Sequence, residues 1–157
     1  ENNKLFDEYA KWVFRDGNII VLAKKDLIFS YRTSNFQKND IISSVVLKLQ
    51  LCEIDYIRNS FKKNLDYRKM TQPLTVPSFG SVFKNPELNA AGYFIESAGL
   101  KGYQIGNAEI SSLHANWIVN PKKKALSDDL LRLIEHCQKT VLDRFQIELI
   151  PEVQIWN

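Results

Sequence analysis

Val45-Val-Leu-Lys-Leu-Gln-Leu-Cys-Glu-Ile-Asp-Tyr-Ile-Arg-Asn-Ser-Phe-Lys-Lys-Asn-Leu65 changes its hydrophobic period partway along. Val45, Leu47, Leu49 and Leu51 alternate with Val46, Lys48 and Gln50, the two-residue repeat of a strand. From Ile54 the repeat lengthens: Ile54, Ile57, Phe61 and Leu65 share one helical face, and Arg58, Lys62 and Lys63 take the other. The spacing predicts a long strand over 45–51 and a helix over about 53–69 that ends before Pro73. The switch marks a domain boundary near residue 52.

Upstream, the pattern is strands and turns. Ile19–Ala23 is a short apolar strand candidate after the turn Asp16-Gly17-Asn18. Asp26–Arg32 alternates, with Leu27, Phe29 and Tyr31 on one face and Ile28, Ser30 and Arg32 on the other. Downstream, Ala90–Ser97 reads as a short helix closed by Gly99, and Ala115–Val119 as a strand. Ser127 is the expected N-cap of a long amphipathic helix carrying Leu130, Ile134, Cys137, Val141 and Phe145, with Asp128 and Asp129 complementing its dipole. Ile147, Leu149, Val153 and Ile155 alternate in a last strand, with Pro151 marking an edge or a bulge. Strands first, then helices mixed with strands, argue an α+β fold.

Composition bounds the function. At 157 residues the chain is long enough for one ordinary domain or two small ones. It is 45% hydrophobic and 25% charged, as soluble globular proteins are, and no apolar run is long enough to span a bilayer. The net charge of +3 is mild. Lys122-Lys123-Lys124 follows Pro121 without interleaved aromatic residues, so it reads as a solvated loop rather than a nucleic-acid contact. Cys52 and Cys137, placed at a strand end and on a helix, have no CxxC or Cys/His ligand spacing and read as reduced, largely structural thiols of a cytosolic protein. Glu1 rather than Met opens the sequence, as in a processed chain or a piece of a longer one.

The chemistry-bearing candidate is Pro77-Ser-Phe-Gly-Ser-Val-Phe-Lys-Asn-Pro86. Its prolines and glycine exclude a regular helix or a central strand and make it a shaped loop. Ser81, Lys84 and Asn85 place a hydroxyl, a cation and an amide on that loop. Other chemistries lack their patterns. Gly99–Gly106 has neither GxxxxGK[ST] nor GxGxxG spacing and reads as helix capping and a tight turn. Ser81 is not in a GxSxG elbow. His136 falls near the boundary of its helix face and reads as a surface group, whereas His114, just before a strand, could belong to a site. Two histidines and two scattered cysteines make no metal-ligand cluster, so no metal is expected. Taken singly, Arg32 and Glu152 read as solvated charges on strand faces.

In order along the chain stand Tyr31-Arg-Thr-Ser-Asn-Phe36, Thr71-Gln-Pro73, the Pro77–Pro86 loop, Ala91-Gly-Tyr-Phe-Ile-Glu-Ser-Ala-Gly-Leu-Lys-Gly-Tyr-Gln-Ile-Gly106, His114-Ala-Asn-Trp-Ile-Val-Asn120 and Pro151-Glu-Val153. The series closely resembles the C-terminal part of the UDP-N-acetylenolpyruvoylglucosamine reductase family, in the form without a long tyrosine-bearing insertion. The resemblance implies an FAD-dependent oxidoreductase of peptidoglycan synthesis in the cytoplasm, with NADPH as hydride source. In that family a hydride reaches the terminal enolpyruvyl carbon and a proton then quenches the adjacent carbanion. By family position Ser81 donates that proton, Arg32 polarises the substrate carboxylate, Glu152 is a further acid/base group, and Gln72, Lys84 and Asn85 are substrate-side residues.

The resemblance also implies a domain organisation. Residues 1–52 match the closing part of the FAD-binding domain, and 53–157 the substrate-binding domain. The family's glycine-rich flavin segment is not among these residues, so the chain alone is expected to hold FAD poorly and to be inactive. The implied partners are a UDP-sugar and the flavin-binding region, with no nucleic acid and no membrane. A second reading is a non-catalytic nucleotide-sugar-binding module derived from the same family. Intact Arg32, Ser81 and Glu152 favour the enzyme, because a pure binder needs no proton donor.

Overall fold

The structure is a computed structural model that describes residues 9–47 and 49–155, with side chains from Val13 onward. The chain divides into two compact units, Glu1–Ile57 and Arg58–Asn157. The fold is α+β, built from short antiparallel strands and helices.

In the first unit, β1 (Tyr9–Arg15) and β2 (Asn18–Ala23) form a hairpin. Its two turn residues, Asp16 and Gly17, both have positive φ, +48° and +80°. Such a turn matches the twist of the flanking strands and is the reason for an Asp-Gly pair there. β5 (Ile41–Ile42) adds to the other side of β1. Arg15 closes this unit by donating from Nε and Nη2 to the two carboxylate oxygens of Asp40, each at 2.7 Å. That charge-assisted fork holds the Asp40 carboxyl below the usual carboxylate range.

Of two expected strands, one is cut to two residues and the other is not formed among the described residues. Over 26–32, Lys24–Asp26 make a single 3-10 turn and only Phe29–Ser30 (β3) is a strand, paired with Thr33–Ser34 (β4). The Asn35 side chain takes the place of further pairing: it accepts the Ile28 N–H at 2.9 Å and donates to the Asp26 carbonyl at 2.7 Å. Over 45–51, Val46 makes an isolated bridge and the other described residues form no strand; Lys48 lies outside the described residues. Alternation marks an amphipathic extended segment, but a strand also needs a ladder partner, and β5 ends at Ile42. Cys52 is accordingly exposed in irregular chain rather than at a strand end.

α1 (Ile54–Thr71) follows as expected, with Asp55 in its first turn and Arg68 and Lys69 in its last, each complementing the dipole. It stops where Pro73 cannot donate the next helical hydrogen bond.

The second unit centres on a four-stranded antiparallel sheet in the order β6 (Ser78–Ser81), β9 (Trp117–Val119), β8 (Ala108–Ile110), β7 (Gln104–Ile105). α2 (Ala91–Ser97) and α3 (Ser127–Phe145) pack with it around Phe83, Ile95, Ile110, Ile118, Leu133 and Leu149. Cys137 belongs to this core, and burial pushes its thiol up to about 12. Gly99 ends α2 with φ +76°. The cap of α3 differs from expectation. Ser127 is its first helical residue, and the buried Asp129 closes the N-terminus by accepting the Leu126 N–H at 3.0 Å. His136 is half-buried rather than a plain surface group, its ring stacked on Tyr103 at 4.4 Å.

The last expected strand, 147–155, is reduced to one bridge between Phe83 and Pro151. A proline in the segment removes one ladder donor, which limits the pairing. The Pro77–Pro86 loop, conversely, contains strand β6, which lies at the sheet edge where a proline-flanked strand is tolerated.

Candidate functional site

Ser81 is the last residue of β6 and pairs with Trp117 of β9. The register shifts between Ser78 and Ser81, where Gly80 adopts φ +82°. That left-handed conformation is strained for a residue with a β-carbon, so the glycine permits the irregularity that brings Ser81 to the end of the strand.

The backbone after Ser81 is held from two sides. On one side, the Val82 N–H donates to the Asn116 carbonyl at 2.9 Å. The Asn116 side chain then accepts the Phe83 N–H at 3.0 Å and donates to the Phe83 carbonyl at 2.8 Å. On the other side, the Glu152 N–H donates to the Val82 carbonyl and the Lys84 N–H to the Ile150 carbonyl, at 2.8 and 2.9 Å. Ser81 and Glu152 are thereby joined through a single bridged segment, although they are distant in sequence.

Glu152 is half-buried, and one of its carboxylate oxygens is shielded from solvent. It is not the solvated strand-face charge its sequence neighbourhood suggests. The backbone bridge to Val82 draws it inward.

The substrate-side candidates lie in the same unit. Gln72 extends the end of α1, donating its N–H to the Arg68 carbonyl at 2.9 Å and accepting from Arg68 Nε at 3.2 Å. Lys84 is half-buried beside the bridge. Asn85 accepts the Ala91 N–H at 3.0 Å, so its amide oxygen serves the first turn of α2. A cleft of about 370 Å³ is lined by Pro73–Ser78, Trp117 and Lys123; Trp117, the cross-strand partner of Ser81, is its aromatic wall, and Lys123 supplies a cation to its lining. A larger one, about 580 Å³, is lined by Phe79, Leu130, Leu131, Ile134, Val153 and Ile155 among others, and has no ionisable group among its described lining residues.

Arg32 belongs to the first unit. It stands not on a strand face but in the β3–β4 turn, with φ +56° and its guanidinium 5.7 Å from the Tyr31 ring centroid. A left-handed non-glycine residue is uncommon and costs strain. The turn fixes the arginine at the tip of the hairpin that Asn35 locks.

Sequence reasoning missed Asn116 as an organiser. The signal was an asparagine just before a strand, since an amide carries both a donor and an acceptor and can stand in for a backbone partner. Behind it, His114 Nδ1 accepts the Asn116 N–H at 3.2 Å. Burial lowers the His114 pKa below the ordinary histidine value; a hydrogen bond with its own backbone opposes this, the nearby Lys101 adds to it, and Glu96 opposes it more weakly.

A family model described as the C-terminal domain of UDP-N-acetylenolpyruvoylglucosamine reductase matches residues 72–156, more than half of the chain. The chain is 44% identical over 148 residues to the UDP-N-acetylenolpyruvoylglucosamine reductase of Bacillus subtilis, covering 93% of this chain and 48% of that protein. A protein of the same name from Bacillus licheniformis is 43% identical over 145 residues, covering 91% of this chain and 78% of the relative. Among solved structures, the UDP-N-acetylenolpyruvylglucosamine reductase of Thermus caldophilus is similar with a TM-score of 0.81 and 32% identity, over 99% of this chain and 54% of that one. The chain spans about half the length of most of the curated relatives it matches. With the family model, the identities and the fold in agreement, the chain belongs to the UDP-N-acetylenolpyruvoylglucosamine reductase family.

Proposed function

We propose that the chain supplies the substrate-binding and proton-donating part of a cytoplasmic reductase that converts UDP-N-acetylglucosamine enolpyruvate to UDP-N-acetylmuramate, with FAD as cofactor and NADPH as hydride source. The observation that carries this reading is the bridge that ties Ser81 and Glu152 to one short backbone segment.

In this reading residues 53–157 bind the substrate and residues 1–52 close a flavin-binding domain. Reduced flavin, when bound, would supply the hydride. Among the described residues of the first unit no glycine-rich turn presents the closely spaced backbone N–H donors that a flavin pyrophosphate needs: the one glycine there, Gly17, is spent on a hairpin turn. The flavin would therefore be held chiefly by other polypeptide.

This chain's own residues handle the proton and the carboxylate. Hydride addition to the terminal carbon leaves a carbanion beside the carboxylate, and negative charge spreads onto it. Arg32 has the planar donor fork that grips a carboxylate, and the grip strengthens as charge develops. Ser81 donates its hydroxyl proton to the carbanion carbon. A hydroxyl is a weak acid in water, but the carbanion is a far stronger base, and Lys84 on the same loop eases the transient alkoxide. Glu152 restores or relays the proton from its sheltered position. Gln72 and Asn85 contact the nucleotide sugar.

Titrating the isotopically labelled chain with UDP-N-acetylglucosamine enolpyruvate tests the binding half of the proposal. Saturable shifts are expected at the amides of Gln72, Ser81, Lys84 and Asn85. Saturable shifts confined to other residues would contradict it.

A further inference from the structure

Asn116 is 4% exposed, and each of its polar groups is used inside the second unit. Its side chain pairs with both backbone groups of Phe83, its carbonyl takes the Val82 N–H, and its own N–H goes to His114 Nδ1. Three of these four bonds hold the two residues that directly follow Ser81. On the other side of Ser81 stands Gly80, left-handed, with open space where a β-carbon would be. Glycine has the widest backbone freedom of any residue, so the direction of Ser81 is set by its pairing with Trp117 and by the anchoring of Val82 and Phe83.

We propose that Asn116 is a positioning residue for Ser81: its amide acts as a ladder partner for Phe83 where β9 has not yet begun, and so fixes the strand end that presents the hydroxyl. The inference rests on Ser81 being the proton donor. A proton donor must be held close to its productive geometry, and small displacements cost rate.

The variant Asn116→Asp separates this role from general support of the core. A protonated aspartic acid is nearly isosteric with asparagine and keeps one donor and one acceptor for Phe83. The ionised form only accepts, and sets a charge against the Phe83 carbonyl oxygen. Among the described titratable groups, His114 contacts Asn116 directly, Lys101 and Glu96 act on His114, and Glu152 bonds the same segment through its backbone N–H. Lys101 and Glu96 are themselves ion-paired at 2.8 Å.

The experiment is turnover of a reductase that contains this chain, as wild type, Asn116→Asp and Ser81→Ala, from about pH 6 to about pH 8.5, with circular dichroism confirming that each variant stays folded. The kcat of Asn116→Asp relative to wild type is expected to fall about tenfold or more across that range as the new carboxyl ionises. A ratio that stays flat, with Ser81→Ala inactive, would overturn the positioning role and leave the proton donor standing. Normal turnover by Ser81→Ala would overturn the donor and this inference with it. Where Asn116→Asp unfolds, amide exchange in the unaltered chain decides. Phe83 is expected to exchange as slowly as the core residue Ile118, and exchange at the rate of exposed loop amides would overturn the proposal.

Discussion

The Asp129 carboxylate occupies the space beside Gly106: a β-carbon built on Gly106 would stand 2.2 Å from Asp129 Oδ1. The glycine has φ +58° in the β7–β8 turn, and Asp129 reaches it from the first turn of α3. Gly106→Ala must therefore both strain the backbone and displace the carboxylate. A left-handed alanine alone costs about 1–2 kcal/mol, and loss of the helix cap adds about 1 kcal/mol. Denaturant unfolding of Gly106→Ala is expected to show a loss of about 2–3 kcal/mol. A change within about 0.5 kcal/mol would show that the turn can be remade without the glycine.

Asp129 also makes stability depend on pH. Its carboxylate accepts the Leu126 N–H at 3.0 Å and the Asn107 N–H at 3.2 Å, and these bonds hold its pKa below the usual 3.8. The unfolded chain binds the proton first as pH falls. The contribution is whole above about 3.8 and is lost as pH drops through the lower folded value. Asp129→Asn is expected to be less stable than wild type at about pH 6, with the difference shrinking near about pH 2. Urea unfolding at the two values checks it.

His114 is expected to stay neutral at pH 7 with its proton on Nε2, because Nδ1 accepts the Asn116 N–H. Nitrogen-15 spectra of the imidazole should show that tautomer, and the midpoint should lie below the ordinary 6.5. The stability His114 contributes is complete above about 6.5 and falls as pH drops through the folded midpoint, since the unfolded histidine protonates first. The Asn116 amide should shift with the same midpoint.

The helices were legible in the sequence because a period of 3.6 is a local property. α1 and α2 stand within one or two residues of where the pattern of Ile54, Ile57, Phe61 and Leu65 and the stop at Gly99 put them. Strands were less legible because pairing is not local. The alternation of Val45–Leu51 finds no strand among the described residues, and the proline-rich Pro77–Pro86 loop contains β6. The cap of α3 went to Asp129 rather than Ser127 because one carboxylate serves both the helix start and the neighbouring turn. Within the site, motif order pointed to Ser81 and Glu152, but only the structure reveals the backbone bridge between their segments. Asn116 could not be read in advance, since its importance lies in a partner 33 residues away.

The roles proposed for Arg32, Lys84 and Glu152 all turn on Ser81 delivering the proton. Pre-steady-state and steady-state kinetics of Ser81→Ala, in a reductase that contains this chain, separate hydride supply from proton delivery. Flavin reduction by NADPH is expected to proceed at the wild-type rate, while formation of UDP-N-acetylmuramate slows by about 10²–10⁴-fold, the range of one positioned acid. A binding module without chemistry would form no product in either protein. Turnover by Ser81→Ala at the wild-type rate would contradict the assignment.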